Sequence, residues 1–346
     1  MKQKRISDFG IQIGKLKKGK LNKITDVKGV TVGHSTIKNE SHNTGVTVIM
    51  PTKDNIFLDK YVAASYVSNG FGKTVGTVQI EELGTIETPI ALTNTLNVGI
   101  VADSIIQYMI DFCKKDNFEI KSINPVVGEC NDSGLNDIQK RVVSYDNVME
   151  AIDSATSDFD EGNVGAGTGT KCYGFKGGIG SASRVFKLDE KEYTLGVLVQ
   201  SNYGVTEDLI INGNPVGKKV ENINGSACDK GSIIVILACD VPLTSRQLKR
   251  VVKRCSVGIA RLGSYIGHGS GEVFIGFSTA NIIPHEGSND IINISCVNEN
   301  VMDVLFRATG EATEEAILNS MICSEKVVGF KGSVIDSLKD CINDII

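Results

Sequence analysis

The sequence predicts an α/β protein, a single domain in which sheets are covered by helices. Short β-branched runs broken by glycine alternate with stretches whose apolar residues recur every three or four positions. Glycine is abundant, 37 of 346 residues, while aromatics make up 6% and tryptophan is absent, a balance suited to tight turns between layers. The one pronounced polar gap, 212–231, divides a long N-terminal part from a shorter C-terminal part, and both read as halves of one core.

Alternation over 24–34 and 44–51 predicts two neighbouring strands. Residues 62–67 read as a short helix closed by the glycine turn at 68–72, and 83–94 as a strand region interrupted by Pro89. A helix follows over about 98–113, with Val101, Ile105, Tyr108, Met109 and Phe112 on one face, and another near 147–155. Residues 195–199 form a strand leading to Asn202, and 232–239 a buried strand. Thr244-Ser245-Arg246-Gln247 has the form of a capping box. It opens a helix carrying Leu248, Val251, Val252, Cys255, Ile259 and Leu262, with Gly263 at its end. Gly269-Ser270-Gly271-Glu272 leads into a strand, and the remainder reads as helix over 298–309, 311–321 and 332–345.

Composition excludes several function classes. A net charge of −5 gives no electrostatic reason to expect nucleic acid. The basic start (Lys2, Lys4, Arg5, Lys15, Lys17, Lys18, Lys20) lacks the apolar segment of a secretory signal and reads as a solvated face. No apolar run reaches membrane-spanning length. Nine cysteines, with no Cys-x-x-Cys pair, point to reduced thiols and a cytoplasmic setting. Four histidines in no metal-ligand spacing predict no metal, and no organic cofactor is expected.

The glycine-dense stretch 162–181 fails the dinucleotide spacing, since a third glycine after Gly165 and Gly167 would fall on Thr170; no Gly-Lys-Ser/Thr follows either. It reads as a closely packed loop, able to turn backbone N–H groups toward an oxyanion. Ser232 stands where a polar connector, Asn222–Gly231, becomes an apolar strand. A Gly–Ser junction is ordinarily just a turn, but here it offers an unhindered carbonyl to a hydroxyl. Cleavage before Ser232 would leave an α-amine of reference pKa about 7.7–8.0 as a local base. Ser270 and Glu272, two apart on a strand, share one face and could relay a proton. Asn202 follows a strand, as either a turn residue or an oxyanion donor.

Together these residues resemble the L-aminopeptidase/D-esterase and β-peptidyl aminopeptidase family of self-processing N-terminal-serine hydrolases. The match runs in order from Ile24-Thr25-Asp26-Val27 and Val32-Gly33-His34 through Glu81 to Thr95, Gly162-Asn163-Val164-Gly165, Gly174 to Gly180, and Gln200-Ser201-Asn202. It ends with Gly231-Ser232-Ile233-Ile234, Gly269-Ser270-Gly271-Glu272 and Phe277 to Asn281. The resemblance implies a four-layer α/β/β/α sandwich like that of the ornithine acetyltransferases. It implies self-cleavage at Gly231–Ser232 into chains 1–231 and 232–346 that stay associated, and a small peptide, amide or ester substrate hydrolysed by a homo-oligomer. Ser232 is then the nucleophile, Ser270 and Glu272 assist proton transfer, Asn202 donates to the oxyanion and Lys176 lies near the site. Charge complementarity suggests Glu129 for the substrate's amine. One departure stands out. The family pattern has an aromatic residue before Leu-Asn-Asp, whereas Leu135-Asn136-Asp137 follows Gly134. That implies a roomier pocket, with Tyr173 or Tyr203 as a substitute donor, and a slower or differently selective enzyme. An acyltransferase of the ornithine acetyltransferase type, which would use threonine, and a catalytically weak binding protein are the rival readings.

Overall fold

A computed structural model of the chain describes residues 3–220, 230–287 and 290–346. The connector expected over 222–231 therefore lies, for 222–229, outside the described residues. In chain order the first strands are β1 (Thr31–Lys38), β2 (Asn43–Met50) and β3 (Asp59–Gly70). Helix α1 (Thr77–Leu83) leads to β4 (Thr85–Ile86) and β5 (Ile90–Asn94), and α2 (Val98–Lys115) to β6 (Val126–Cys130) and α3 (Tyr145–Asp153). A small hairpin, β7 (Lys171–Cys172) and β8 (Phe175–Lys176), precedes the long strands β9 (Gly178–Leu188), β10 (Lys191–Asn202) and β11 (Lys230–Cys239). Helices α4 (Ser245–Val252) and α5 (Cys255–Arg261), strand β12 (Gly269–Pro284) and helix α6 (Met302–Ile322) follow. The short pieces β13 (Val327–Val328), β14 (Val334–Ile335) and α7 (Ile342–Ile345) close the chain.

Two sheets stack face to face. One has the order β1-β2-β5-β6, the other β4-β3-β12-β11-β10-β9. Alternation along β11 divides its side chains between two cores. Ile234, Ile236 and Ala238 join Val46, Val48, Leu92 and Ile275 between the sheets, a core that extends to α2 and α3 beyond the smaller sheet. Ile233, Val235 and Leu237 face α4, α5 and α6 through Leu248, Ile259, Ala312 and Ile317. The layers are thus helix, sheet, sheet, helix. Because both faces of β11 are buried, its sequence is a continuous apolar run rather than an alternating one.

Three local expectations are corrected. Residues 62–67 are not a helix but the middle of β3, paired antiparallel with β12 (Ala64↔Gly276, Tyr66↔Phe274). Ala63 is buried against one core and Val62 and Ala64 against the other, so the run shows no one-sided period. The two helices expected around Gly310 are one, α6. Gly310 packs against α5, where an added Cβ would lie 3.3 Å from Val257 Cγ1; on the facing helix a Cβ at Gly258 would lie 2.9 Å from the Gly310 carbonyl oxygen. Glycine here sets helix approach rather than helix end. The helix expected over 332–345 is reduced to α7 and a 3-10 turn, because Gly332 takes φ +77° and Val334 pairs in β14. The capping box holds, with Thr244 Oγ1 accepting from Gln247 N at 3.2 Å. The helix it opens breaks into α4 and α5 near Lys253.

His34 on β1 shows how burial couples this fold to pH. Its ring lies between Thr47 Oγ1 (2.9 Å) and the Asp160 carbonyl (3.0 Å), edge-on to Phe159. Burial pushes its pKa down to about 4. The neutral ring is favoured in the folded state, so stability is full above about pH 6.5, where the unfolded histidine is also neutral, and falls as pH drops toward 4. A wild-type chain should lose on the order of 2 kcal/mol more than His34→Gln over that window, read from urea midpoints at each pH. Parallel profiles for the two chains would show that His34 does not titrate this way.

Candidate active site

Ser232 sits at the mouth-end of β11, paired in register with Asn202 of β10 on one side and Gly271 of β12 on the other. The residue is only 5% exposed and lines a cavity of about 530 Å³. Ser232 Oγ donates to the carbonyl oxygen of Gly231 at 2.6 Å. The hydroxyl therefore lies against the peptide group that precedes it. Position 231 admits only glycine, because an added Cβ would come within 1.9 Å of the Asn202 carbonyl oxygen. The dipeptide is therefore set by close backbone approach as well as by chemistry.

Asn202 lines the same cavity, its amide held at both ends. Oδ1 accepts from Lys171 N at 2.9 Å and Nδ2 donates to the Asn131 carbonyl at 3.0 Å, which uses one of its two amide hydrogens. Glu129, at the end of β6, also lines the cavity. Its carboxylate accepts from Lys73 N (2.9 Å) and from Thr95 Oγ1. Cys130, the next residue, ties the two sheets together, its Sγ donating toward the carbonyls of Gln200 and Ser232. Burial pushes the Cys130 thiol well above its ordinary range, so it stays protonated there. In the turn after β6, burial raises Asp132 to about 6 against the opposing bonds from Thr44, Asn136 and Asn94.

Ser270 and Glu272 are both fully buried, and Ser270 Oγ donates to Glu272 Oε1. They do not line the cavity. In the β11–β12 register Ser270 is opposite Gly231 and Glu272 opposite Ile233, so the pair shares the sheet face of those residues, away from the Ser232 side chain. What lies beside the pair is the Gly231–Ser232 peptide link. Asn69 holds this corner from β3, its Nδ2 donating to the carbonyls of Gly267, His268 and Ser270.

Lys176 is fully buried and outside the cavity. Its Nζ donates to the carbonyls of Gly167 and Gly177 at 2.8 and 2.7 Å, and burial holds its pKa well below the ordinary lysine value. It pins the glycine-rich loop. That loop mostly satisfies its own amides: Gly165 N and Ala166 N donate to Thr36 and Thr47, and Gly167 N and Thr168 N to preceding carbonyls. Its contribution to the site comes from its end, through Lys171 N on Asn202. Gly134 does line the cavity, as does Tyr203, whereas Tyr173 lies behind Tyr203 with ring centroids 5.2 Å apart. Reading the sequence missed Phe71, Lys73, Thr95, Asn131 and Lys171, which also line the cavity. The polar residues that follow β5 and β6 were a usable signal for Thr95 and Asn131, since such strand ends commonly line ligand sites in α/β folds. Nothing local marks Phe71, Lys73 or Lys171.

Comparison with known proteins places the chain in a family. The family model for peptidase family S58 matches residues 22–335. A β-peptidyl aminopeptidase, BapA, of Sphingosinicella microcystinivorans is 37% identical over 359 residues, covering 96% of this chain and 89% of that protein. The crystal structure of the PH0078 protein of Pyrococcus horikoshii OT3 superposes with a TM-score of 0.93 at 46% identity, covering 99% of this chain and 98% of that one. The L-aminopeptidase D-Ala-esterase/amidase of Ochrobactrum anthropi, described as a prototype for the serine aminopeptidases and a variant of the Ntn hydrolase fold, gives 0.91 at 35% identity, with 99% of both chains covered. The chain belongs to peptidase family S58, as an aminopeptidase with the mixed α/β fold of those structures.

Proposed function

We propose that this chain cuts its own Gly231–Ser232 bond and then releases N-terminal residues from short peptides, amides or esters through an acyl-Ser232 intermediate. The observation that supports it most directly is the 2.6 Å contact between Ser232 Oγ and the Gly231 carbonyl oxygen. In the first step Oγ adds to the Gly231 carbonyl carbon, the C–N bond breaks and a proton passes to the departing nitrogen, leaving an ester. Water then hydrolyses that ester to a Gly231 carboxylate and a free Ser232 bearing an α-amine. The amine takes the Oγ proton when Ser232 attacks a substrate carbonyl. Ser270 and Glu272, beside the link where the amine forms, support proton transfer there rather than at Oγ. Asn202 directs its second amide hydrogen to the oxyanion, and Glu129 receives the substrate's ammonium. The products stay together because β11 and β12 of the second chain pair between β3 and β10 of the first. The eight cysteines among the described residues are free thiols, in keeping with a reducing, cytoplasmic setting. Intact-mass measurement of the purified protein tests the cut, and release of p-nitroaniline from amino-acid anilides tests the activity.

The role given to Glu129 has its own test. Glu129→Gln keeps the shape and removes the charge. It should lower kcat/KM for free-amine substrates roughly 10- to 100-fold, the worth of a charge-assisted hydrogen bond. N-acetylated substrates, which have no ammonium, should be turned over no worse than by wild type. An equal loss on both classes would assign Glu129 to shaping the cavity instead.

A further inference from the structure

The cavity holds more positive charge than the reaction needs. Glu129 is the acidic side chain that lines it, yet Lys73 and Lys171 line it too, in a protein whose net charge is −5. Among the described residues neither lysine forms an ion pair. The two differ in how they are held. The Lys73 ammonium lies over the Phe71 ring, 4.2 Å from its centroid, at the rim. Lys171 reaches across the cavity wall onto Gly134: a Cβ added at 134 would lie 2.9 Å from Lys171 Nζ and 3.0 Å from Cε. Its backbone N–H meanwhile holds Asn202, the in-register neighbour of Ser232. The bare glycine at 134 thus makes room for a lysine head, and Lys171 delivers a cation to the wall of the cavity that contains Ser232 and Glu129.

We propose that Lys171 is a specificity-determining residue that binds a carboxylate of the substrate. A substrate with an ammonium for Glu129 and a carboxylate for Lys171 matches both charges of the cavity, whereas one without the carboxylate leaves the exposed Lys171 ammonium at the wall without its ion pair. Two sources offer that carboxylate: an acidic side chain on the residue being released, or the C-terminal carboxylate of a dipeptide. The inference rests on the aminopeptidase reading above.

The test compares kcat/KM within each protein for paired substrates. Alanine and glutamate p-nitroanilides probe the side-chain source, and Ala-Ala and Ala-Ala-amide the C-terminal source. For one of the pairs, wild type should prefer the anionic member. Lys171→Met should reduce that preference roughly 10-fold or more, and Lys171→Arg should retain much of it. Gly134→Ala, which leaves Lys171 in place but pushes its head aside, should also reduce it. The preference should weaken with added salt. The pair that responds identifies the source. A preference unaffected by Lys171→Met, or abolished by Lys73→Met instead, would overturn the proposal while leaving the aminopeptidase reading intact. If wild type releases product from none of the four substrates, it is the aminopeptidase reading that fails.

Discussion

Replacing Ser232 by alanine is expected to leave one uncut chain of 346 residues where wild type gives two, 1–231 and 232–346. Alanine removes the only atom that contacts the Gly231 carbonyl from its own side chain, Oγ at 2.6 Å. It also removes the nucleophile, so peptidase activity should fall by roughly 10⁴-fold or more, as loss of a catalytic serine does elsewhere. The fold should survive. Ser232 is one residue at the end of a ten-residue strand whose register with β10 and β12 is fixed by the apolar positions that follow. Ser232→Cys separates the two roles, since a thiol can still attack the preceding carbonyl: processing without restored amidase activity would show that attack at 231 is less demanding than substrate turnover. An uncut wild-type chain with full activity would refute self-processing.

Asn202→Ala should give the second largest loss, a fall in kcat of roughly 100- to 1,000-fold, the range seen when one oxyanion donor is removed. The same change frees Lys171 N and the Asn131 carbonyl, which Asn202 now bridges, so a drop in melting temperature should accompany it. Asn202→Asp separates the two consequences. It can still accept from Lys171 N but presents no donor to an oxyanion, so it should lose kcat as alanine does while keeping more of the stability. A variant with lowered melting temperature but kcat within a few-fold of wild type would make Asn202 a positioning residue only.

The two predictions rest on different amounts of sequence information. The nucleophile could be read because a Gly–Ser junction before an apolar run is a local feature with a chemical consequence. Ser270 and Glu272 could be paired from their two-residue spacing, and the structure joins them by a hydrogen bond. Which sheet face they share was a matter of register: Ser270 opposite Gly231 places them by the peptide link and not by the hydroxyl. Lys176 shows the limit from the other side. Its neighbours in sequence suggested the site, but its ammonium is enclosed by loop carbonyls.

The fold divides the same way. The sequence alone made legible the α/β class, the capped start of α4, the strands β2, β5, β10, β11 and β12 and the glycine-serine junction, because each follows from local periodicity or local sterics. It also determined that 134 is glycine, but only as a missing aromatic. Tertiary structure decided that 62–67 is a strand, since a run buried on both faces has no period to read. It decided that Gly310 lies inside a helix, since the close approach of α5 requires it. And it decided that Gly134 is the seat of Lys171, 37 residues away, because contacts across a cavity wall leave no signature in the spacing of either residue.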